Sequence, residues 1–293
     1  MGAKSKVNIQ KRYINHYYAV LAALFYALNV PVAKILLKDI NEVILAGLLY
    51  LGAGMGMTGV VFFGKKNVSE KEKPFEKKDV KYIFGMIVLD IFAPIFLMTG
   101  LNKALPENVS LLNNFEIVVT SLIAYFIFRE KISKRLATGL FLVTLSTIIL
   151  SFQGIKSFSF SEGSLFVILA CCCWGLENNC TRMLSQSDPK KIVIIKGIGS
   201  GLTAFLIGVF LRYPLPSLMT MIYSLCLGFV SYGLSVYYYV KAQRYLGASR
   251  TSAYYALTPF IGVILSLVLF REMPTVNFWI ALVVMGIGIF FTN

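Results

Sequence analysis

Apolar runs of about 20 residues recur along the whole chain, separated by short stretches that hold most of its charge. A helix rises about 1.5 Å per residue and the hydrocarbon core of a bilayer is about 30 Å thick, so each run is long enough to cross it. Of the 293 residues, 57% are hydrophobic and 14% are charged. A soluble domain usually carries about 25% charge, so soluble globular folds are excluded. Backbone amides in lipid must be paired within the protein, which leaves an all-α integral membrane protein as the fold class.

Ten transmembrane helices are expected, at about 17–37, 41–63, 82–102, 107–128, 134–152, 162–184, 190–211, 217–241, 248–270 and 275–292. The first run is too long for the core of a signal peptide and no small-x-small site follows it, so it reads as a span. The longest connection, 64–81, is a solvated charge run. Five cysteines, Cys171, Cys172, Cys173, Cys180 and Cys226, all lie in apolar runs and read as small apolar helix residues. The formal net charge of +14 suggests nucleic acid in a soluble protein, but here its distribution has another explanation. With the N-terminus placed inside, 21 basic residues fall in inner segments and 5 in outer ones. That bias is the positive-inside rule, and an even number of spans puts both termini in the cytoplasm.

The two halves echo each other. Phe128-Arg129-Glu130 ends the fourth run and Phe270-Arg271-Glu272 ends the ninth, 142 residues later. The same offset matches Ser110 with Ser252 and Leu122 with Ile264. Near the starts, Tyr26-Ala27-Leu28-Asn29 aligns with Trp174-Gly175-Leu176-Glu177, and Lys34 with Arg182, at an offset of 148. Five spans per half is an odd number, so the halves must run in opposite senses across the bilayer. Two inverted five-helix repeats are a recurrent basis for alternating access. The expected organisation is a cytoplasmic segment 1–16 and repeats over 17–154 and 155–293.

Several segments resemble the drug/metabolite transporter superfamily, specifically its EamA type, over almost the whole chain. They are Trp174-Gly175 with Asn178 and Arg182, Gln243-Arg244-Tyr245-Leu246-Gly247-Ala248, Pro259-Phe260, Phe270-Arg271-Glu272 and the tail Met285-Gly286-Ile287-Gly288. The resemblance implies ten helices, inverted repeats, and export or exchange of small metabolites. One departure is Glu116-Ile117, where many members carry proline in the fourth span.

An ionisable side chain in hydrocarbon costs at least about 2.5–3.5 kcal/mol, so it normally faces a cavity or a partner. Asp90, Glu116 and Glu177 meet that description. Asn113, Glu116 and Thr120 share one face at i, i+3, i+7; Glu177 lies one turn from Thr181, and Asn178 one turn from Arg182. Asp90 precedes Pro94 by one turn, and the proline ring frees a carbonyl near it. These groups, with Tyr254 and Tyr255, are the expected lining of a substrate cavity. Glu116 and Glu177 are also candidates for proton coupling, since a carboxylate that alternates between dry and wet surroundings can bind and release a proton. The competing view is that both only tie helices together through Asn114, Asn178 or Asn179. Lys34, Arg182 and Lys196 read as side chains that snorkel to a membrane face. Gly52, Gly54, Gly56 and Gly197, Gly199, Gly201 have the spacing of close helix crossings.

The function expected from all this is a secondary transporter that exports or exchanges a small metabolite, an amino acid or related amine, across the plasma membrane, with proton coupling through Glu116 and Glu177 as a candidate feature. No nucleotide-binding motif is present, so an ion or substrate gradient would drive it. No cofactor and no metal are expected, because His16 is the sole histidine and no ligand cluster accompanies it. Expected partners are the small-molecule substrate and the bilayer, with a homodimer as a further candidate and no nucleic acid. The alternatives are an intramembrane lipid-modifying enzyme, which would need paired catalytic groups near a membrane face, or a passive channel.

Overall fold

A computed structural model describes residues 16–64, 73–129, 132–151, 161–184, 186–246, 255, 257–271 and 274–292. Among them there are helices and no strand. The first helix, α1, spans His16–Leu36. It is followed by α2 (Glu42–Phe63), α3 (Val80–Lys103), α4 (Pro106–Leu112), α5 (Phe115–Phe128) and α6 (Lys134–Ser151). The second half contributes α7 (Glu162–Leu184), α8 (Pro189–Phe210), α9 (Leu218–Gly228), a π turn (Phe229–Leu234), α10 (Ser235–Leu246), α11 (Thr258–Phe270) and α12 (Val276–Thr292). Among the described residues, seven stretches are long and apolar enough to cross a membrane: α1, α2, Lys77–Lys103, Pro106–Ile127, α7, α8 and Leu218–Ala242. The apolar helices Phe260–Phe270 and Val276–Phe291 are shorter.

Local chemistry sets the ends of these helices, and it does so twice. Both α2 and α8 have 22 residues, and α8 begins and ends 147 positions after α2. The cap of α2 is Asn41, whose side chain accepts from Val43 N; the cap of α8 is Asp188, which accepts from Lys190 N. Each satisfies an amide that the helix start leaves unpaired. At the other end of the repeat, Arg129 and Arg271 close α5 and α11 in the left-handed region, at φ 54° and 53°. A left-handed residue after the last turn returns a backbone N–H to a free carbonyl, as Arg271 N does to Leu267 O at 2.9 Å.

Packing joins the halves rather than separating them. α2 lies along α8, α6 along α12, and α4 against α11, so helices in equivalent places pair with each other. α3 lies along α7, while α1 meets the π turn through Asn29 Nδ2, which donates to Tyr232 OH at 3.0 Å, and α10 through Ser235 Oγ, which donates to Ala22 O at 2.9 Å. The third helix of each half therefore packs on the first helix of the other. The α2–α8 crossing is tight because both chains offer glycine: a Cβ on Gly197 would stand 2.4 Å from Gly54 N. This matches the close approach expected of that glycine spacing. Large apolar side chains such as Phe62, Phe63, Phe126, Phe141, Phe210, Val268 and Phe290 point outward, as a surface that meets lipid requires.

The fourth expected span is broken. After α4 the backbone turns at Asn113 and Asn114, where Glu116 N and Ile117 N bond back only three residues, to Asn113 O and Asn114 O. Leu112 O and Asn113 O also face Cys171 Sγ, each at 3.7 Å. Glu116 lies in the first turn of the second piece.

Candidate functional site

α7 carries the polar centre of the molecule. Its residues Trp174, Glu177 and Thr181 face α2, α3 and α8, and its Asn178 faces α5. Gly175 lets α5 come this close, since a Cβ there would stand 2.5 Å from Val119 Cγ1.

On the first side, Lys196 Nζ from α8 lies 3.0 Å from Glu177 Oε1 and 3.1 Å from Asp90 Oδ2. Asp90 Oδ1 accepts from Tyr50 OH at 2.7 Å, and the Tyr50 oxygen accepts from Trp174 Nε1 at 3.2 Å. Thr181 Oγ1 donates to Glu177 Oε1. Asp90 is 0% exposed, Glu177 2% and Lys196 7%, so the whole cluster is shielded. Burial of this kind strengthens the mutual attraction but costs each ion its hydration, so the partners must be in place. A small cavity adjoins Lys196, lined by Tyr50, Ala53, Val193, Gly197, Tyr232 and Val236. It offers about 10 Å³ to the centre of a water molecule, room for roughly one water.

On the second side, Asn178 Nδ2 donates to Glu116 Oε1 and lies 3.5 Å from Thr120 Oγ1. Asn179 Nδ2 donates to Gly175 O at 2.8 Å. Tyrosines link the surroundings. The Tyr50 and Tyr232 rings lie 4.8 Å apart, Tyr232 and Tyr26 5.7 Å, and Tyr26 and Tyr255 5.5 Å. Asn29 Nδ2 donates to Tyr232 OH at 3.0 Å.

Of the expected lining, Asp90 and Glu177 meet at Lys196, while Glu116, Thr120 and Asn178 meet one another. Asn113 departs from the expected face, because the break at 113–114 takes it out of the α5 register; it sits in the turn, with Oδ1 buried and without a hydrogen bond. Tyr255 joins the tyrosine chain through Tyr26 and Tyr239 rather than the carboxylates. Tyr254 lies outside the described residues. The tie between Glu116 and Asn178 matches the helix-linking view, but Glu177 pairs with a lysine and a threonine rather than with asparagine.

Lys196 corrects the sequence reading. It does not snorkel: seven residues into α8, about 10 Å from the helix start, it turns inward because α8 packs on both α2 and α3. Lys34 reaches the end of α3, donating to Leu101 O at 2.6 Å and Ala104 O at 3.0 Å, where free carbonyls attract a cation. Arg182 is exposed. Tyr50 lies outside the expected lining as well; a lone tyrosine inside an apolar run gives little signal until its partner is known.

Comparison with known proteins is consistent along the chain. The profile of the EamA-like transporter family matches twice, over residues 14–152 and 161–293. An uncharacterised transporter of Methanothermobacter thermautotrophicus is 25% identical over 291 residues, covering 92% of this chain and 83% of its own length. The uncharacterised transporter YyaM of Bacillus subtilis is 24% identical over 207 residues, 67% of each chain. One solved structure, described only as the crystal structure of a protein, superimposes with a TM-score of 0.70. It covers 95% of this chain and 97% of its own at 16% identity, a likeness of fold alone.

Proposed function

The chain belongs to the EamA-like transporter family, and on that premise we propose a secondary transporter of a small amine-bearing metabolite, an amino acid or related amine, working by alternating access. It is a multi-pass membrane protein, and the family together with the named relatives points to a transporter rather than an enzyme. The proposed architecture is ten transmembrane helices in two inverted halves, 17–154 and 155–293, with both termini in the cytoplasm and the protein in the plasma membrane.

The observation that carries the substrate class is a surplus of buried acid. Asp90 and Glu177 share one ammonium, and Glu116 accepts from the neutral side-chain amide of Asn178. Such a site favours a cationic group and disfavours an anion. Tyr26, Tyr50, Tyr232 and Trp174 add apolar contact and ring faces suited to an ammonium. Proton coupling follows from the same arrangement: a carboxylate that is dry in the closed form and wet in the open one can exchange its proton for the cargo's charge.

Purified protein in proteoliposomes, offered a panel of amino acids and amines under an imposed pH gradient, tests this. Uphill flux of an amine that vanishes when the gradient is collapsed is the expected result. Flux indifferent to the gradient removes the coupling, and equal flux of anionic and cationic solutes removes the substrate class.

A further inference from the structure

Lys196 holds a position that an external cation would otherwise take. Its ammonium is the positive group between two carboxylates that water does not reach, and the three together carry one more negative than positive charge when ionised. The fit is imperfect. The approach to Asp90 Oδ2, although 3.1 Å long, is off hydrogen-bond alignment, which leaves that buried oxygen without a well-directed donor. A lysine head sits on a flexible four-carbon stem and can leave without moving the backbone. The space next to it is the cavity bounded by Tyr50 and Tyr232, whose ring faces accept a cation. If Lys196 left with nothing in its place, two carboxylates would remain buried without a cation, a costly state.

We propose that Lys196 is a tethered counter-cation: its ammonium fills the subsite between Asp90 and Glu177 that receives the ammonium group of a small amine, and the arriving amine displaces it toward the Tyr50–Tyr232 cavity. That the amine is a transported cargo rests on the function proposed above; the subsite itself is a property of binding. An unloaded molecule closes over Lys196, and a loaded one closes over the amine.

Trp174 reports on this directly, because its indole N–H bonds to Tyr50, which bonds to Asp90. The chain has two tryptophans, so Trp279→Phe leaves Trp174 as the sole emitter. In that background, purified detergent-solubilised protein is titrated with methylammonium chloride against sodium chloride at matched ionic strength. Lys196→Ala and Lys196→Gln, which differ in the volume they leave, are each expected to show a saturable emission change. Its Kd should be at least about tenfold below that of the parent. Lys196→Arg should behave as the parent, and Lys196→Ala combined with Asp90→Asn and Glu177→Gln should lose the response. The tether is overturned if both neutral variants titrate like the parent, or if the triple variant still responds. Liposome flux separates the two proposals. Tight methylammonium binding by the neutral variants with no amine flux in the parent sinks the transporter reading alone. Amine flux in the parent with unchanged binding in the variants sinks the tether alone.

Discussion

Tyr50 joins the charged cluster to the aromatic one, since its hydroxyl donates a hydrogen bond to Asp90 and accepts one from Trp174. Tyr50→Phe leaves the ring packing on Tyr232 but strips Asp90 Oδ1 and Trp174 Nε1 of their partner. A buried polar group left unpaired costs about 1–3 kcal/mol, so the variant should unfold at lower temperature in detergent and show altered Trp174 emission. Unchanged melting would mean that water replaces the hydroxyl. Glu116→Gln probes charge without that loss: the glutamine oxygen still accepts from Asn178, so stability should hold while amine uptake falls about fivefold or more, the scale of about 1 kcal/mol. A variant that transports normally would make Glu116 a helix tie only. Asp90, Glu116 and Glu177 were legible in sequence because an acid in an apolar run has few explanations, whereas Glu107, buried at the start of α4, was not. Lys196 was not, since a long stem can reach either a membrane face or a buried acid, and only the packing of α8 on α2 and α3 decides between them.

At the scale of helices, the spacing of apolar runs set most boundaries, and α2, α7 and α8 begin within a residue of where composition placed them. The break between α4 and α5 was hidden, because a hydrophobic run has the same composition whether or not its hydrogen-bond ladder is continuous. Its cause is local: two adjacent asparagines, residues that compete with the backbone for hydrogen bonds, stand where the ladder shifts to three-residue bonds. Glycines divide in the same way, alike in sequence and different in place. Gly197 meets Gly54 N where its Cβ would lie, at 2.4 Å, whereas a Cβ on Gly59 meets nothing within 4 Å. Gly197→Ala should force α2 and α8 apart and cost about 1–3 kcal/mol, the usual penalty of overpacking. Gly59→Ala should cost nothing and add helix propensity. Thermal unfolding of the two variants side by side checks this, and equal melting points would show that the crossing yields without strain.

Across the whole molecule, equivalent helices of the two halves pair, α2 with α8, α4 with α11 and α6 with α12, and α1 and α3 exchange partners with their counterparts. That is the contact pattern of two copies related by a twofold axis, and it is repeated in the capped starts at Asn41 and Asp188 and the left-handed stops at Arg129 and Arg271. An axis lying in the membrane plane turns one copy over. Points at equivalent places then face opposite solutions, and each half can take the other's conformation, opening the polar centre to one side and then the other. An axis along the membrane normal would pair equivalent helices parallel and put both points on one side, with no such exchange, whereas α2 and α8 run antiparallel, with Gly47 against Phe205 and Gly208 against Ile44. Ser133 and Thr275 distinguish these cases: both are exposed, both follow the left-handed arginine by four residues, and they stand 142 positions apart. With the exposed Cys226 replaced by alanine, Ser133→Cys and Thr275→Cys are labelled in intact cells with a maleimide that cannot cross the membrane. The orientation proposed from the charge distribution has Arg129 inside and Arg271 outside, so position 275 should react at once and position 133 only after the cells are opened. Reaction of both from the same solution would leave the halves parallel, and the polar centre would then need a different route to each face.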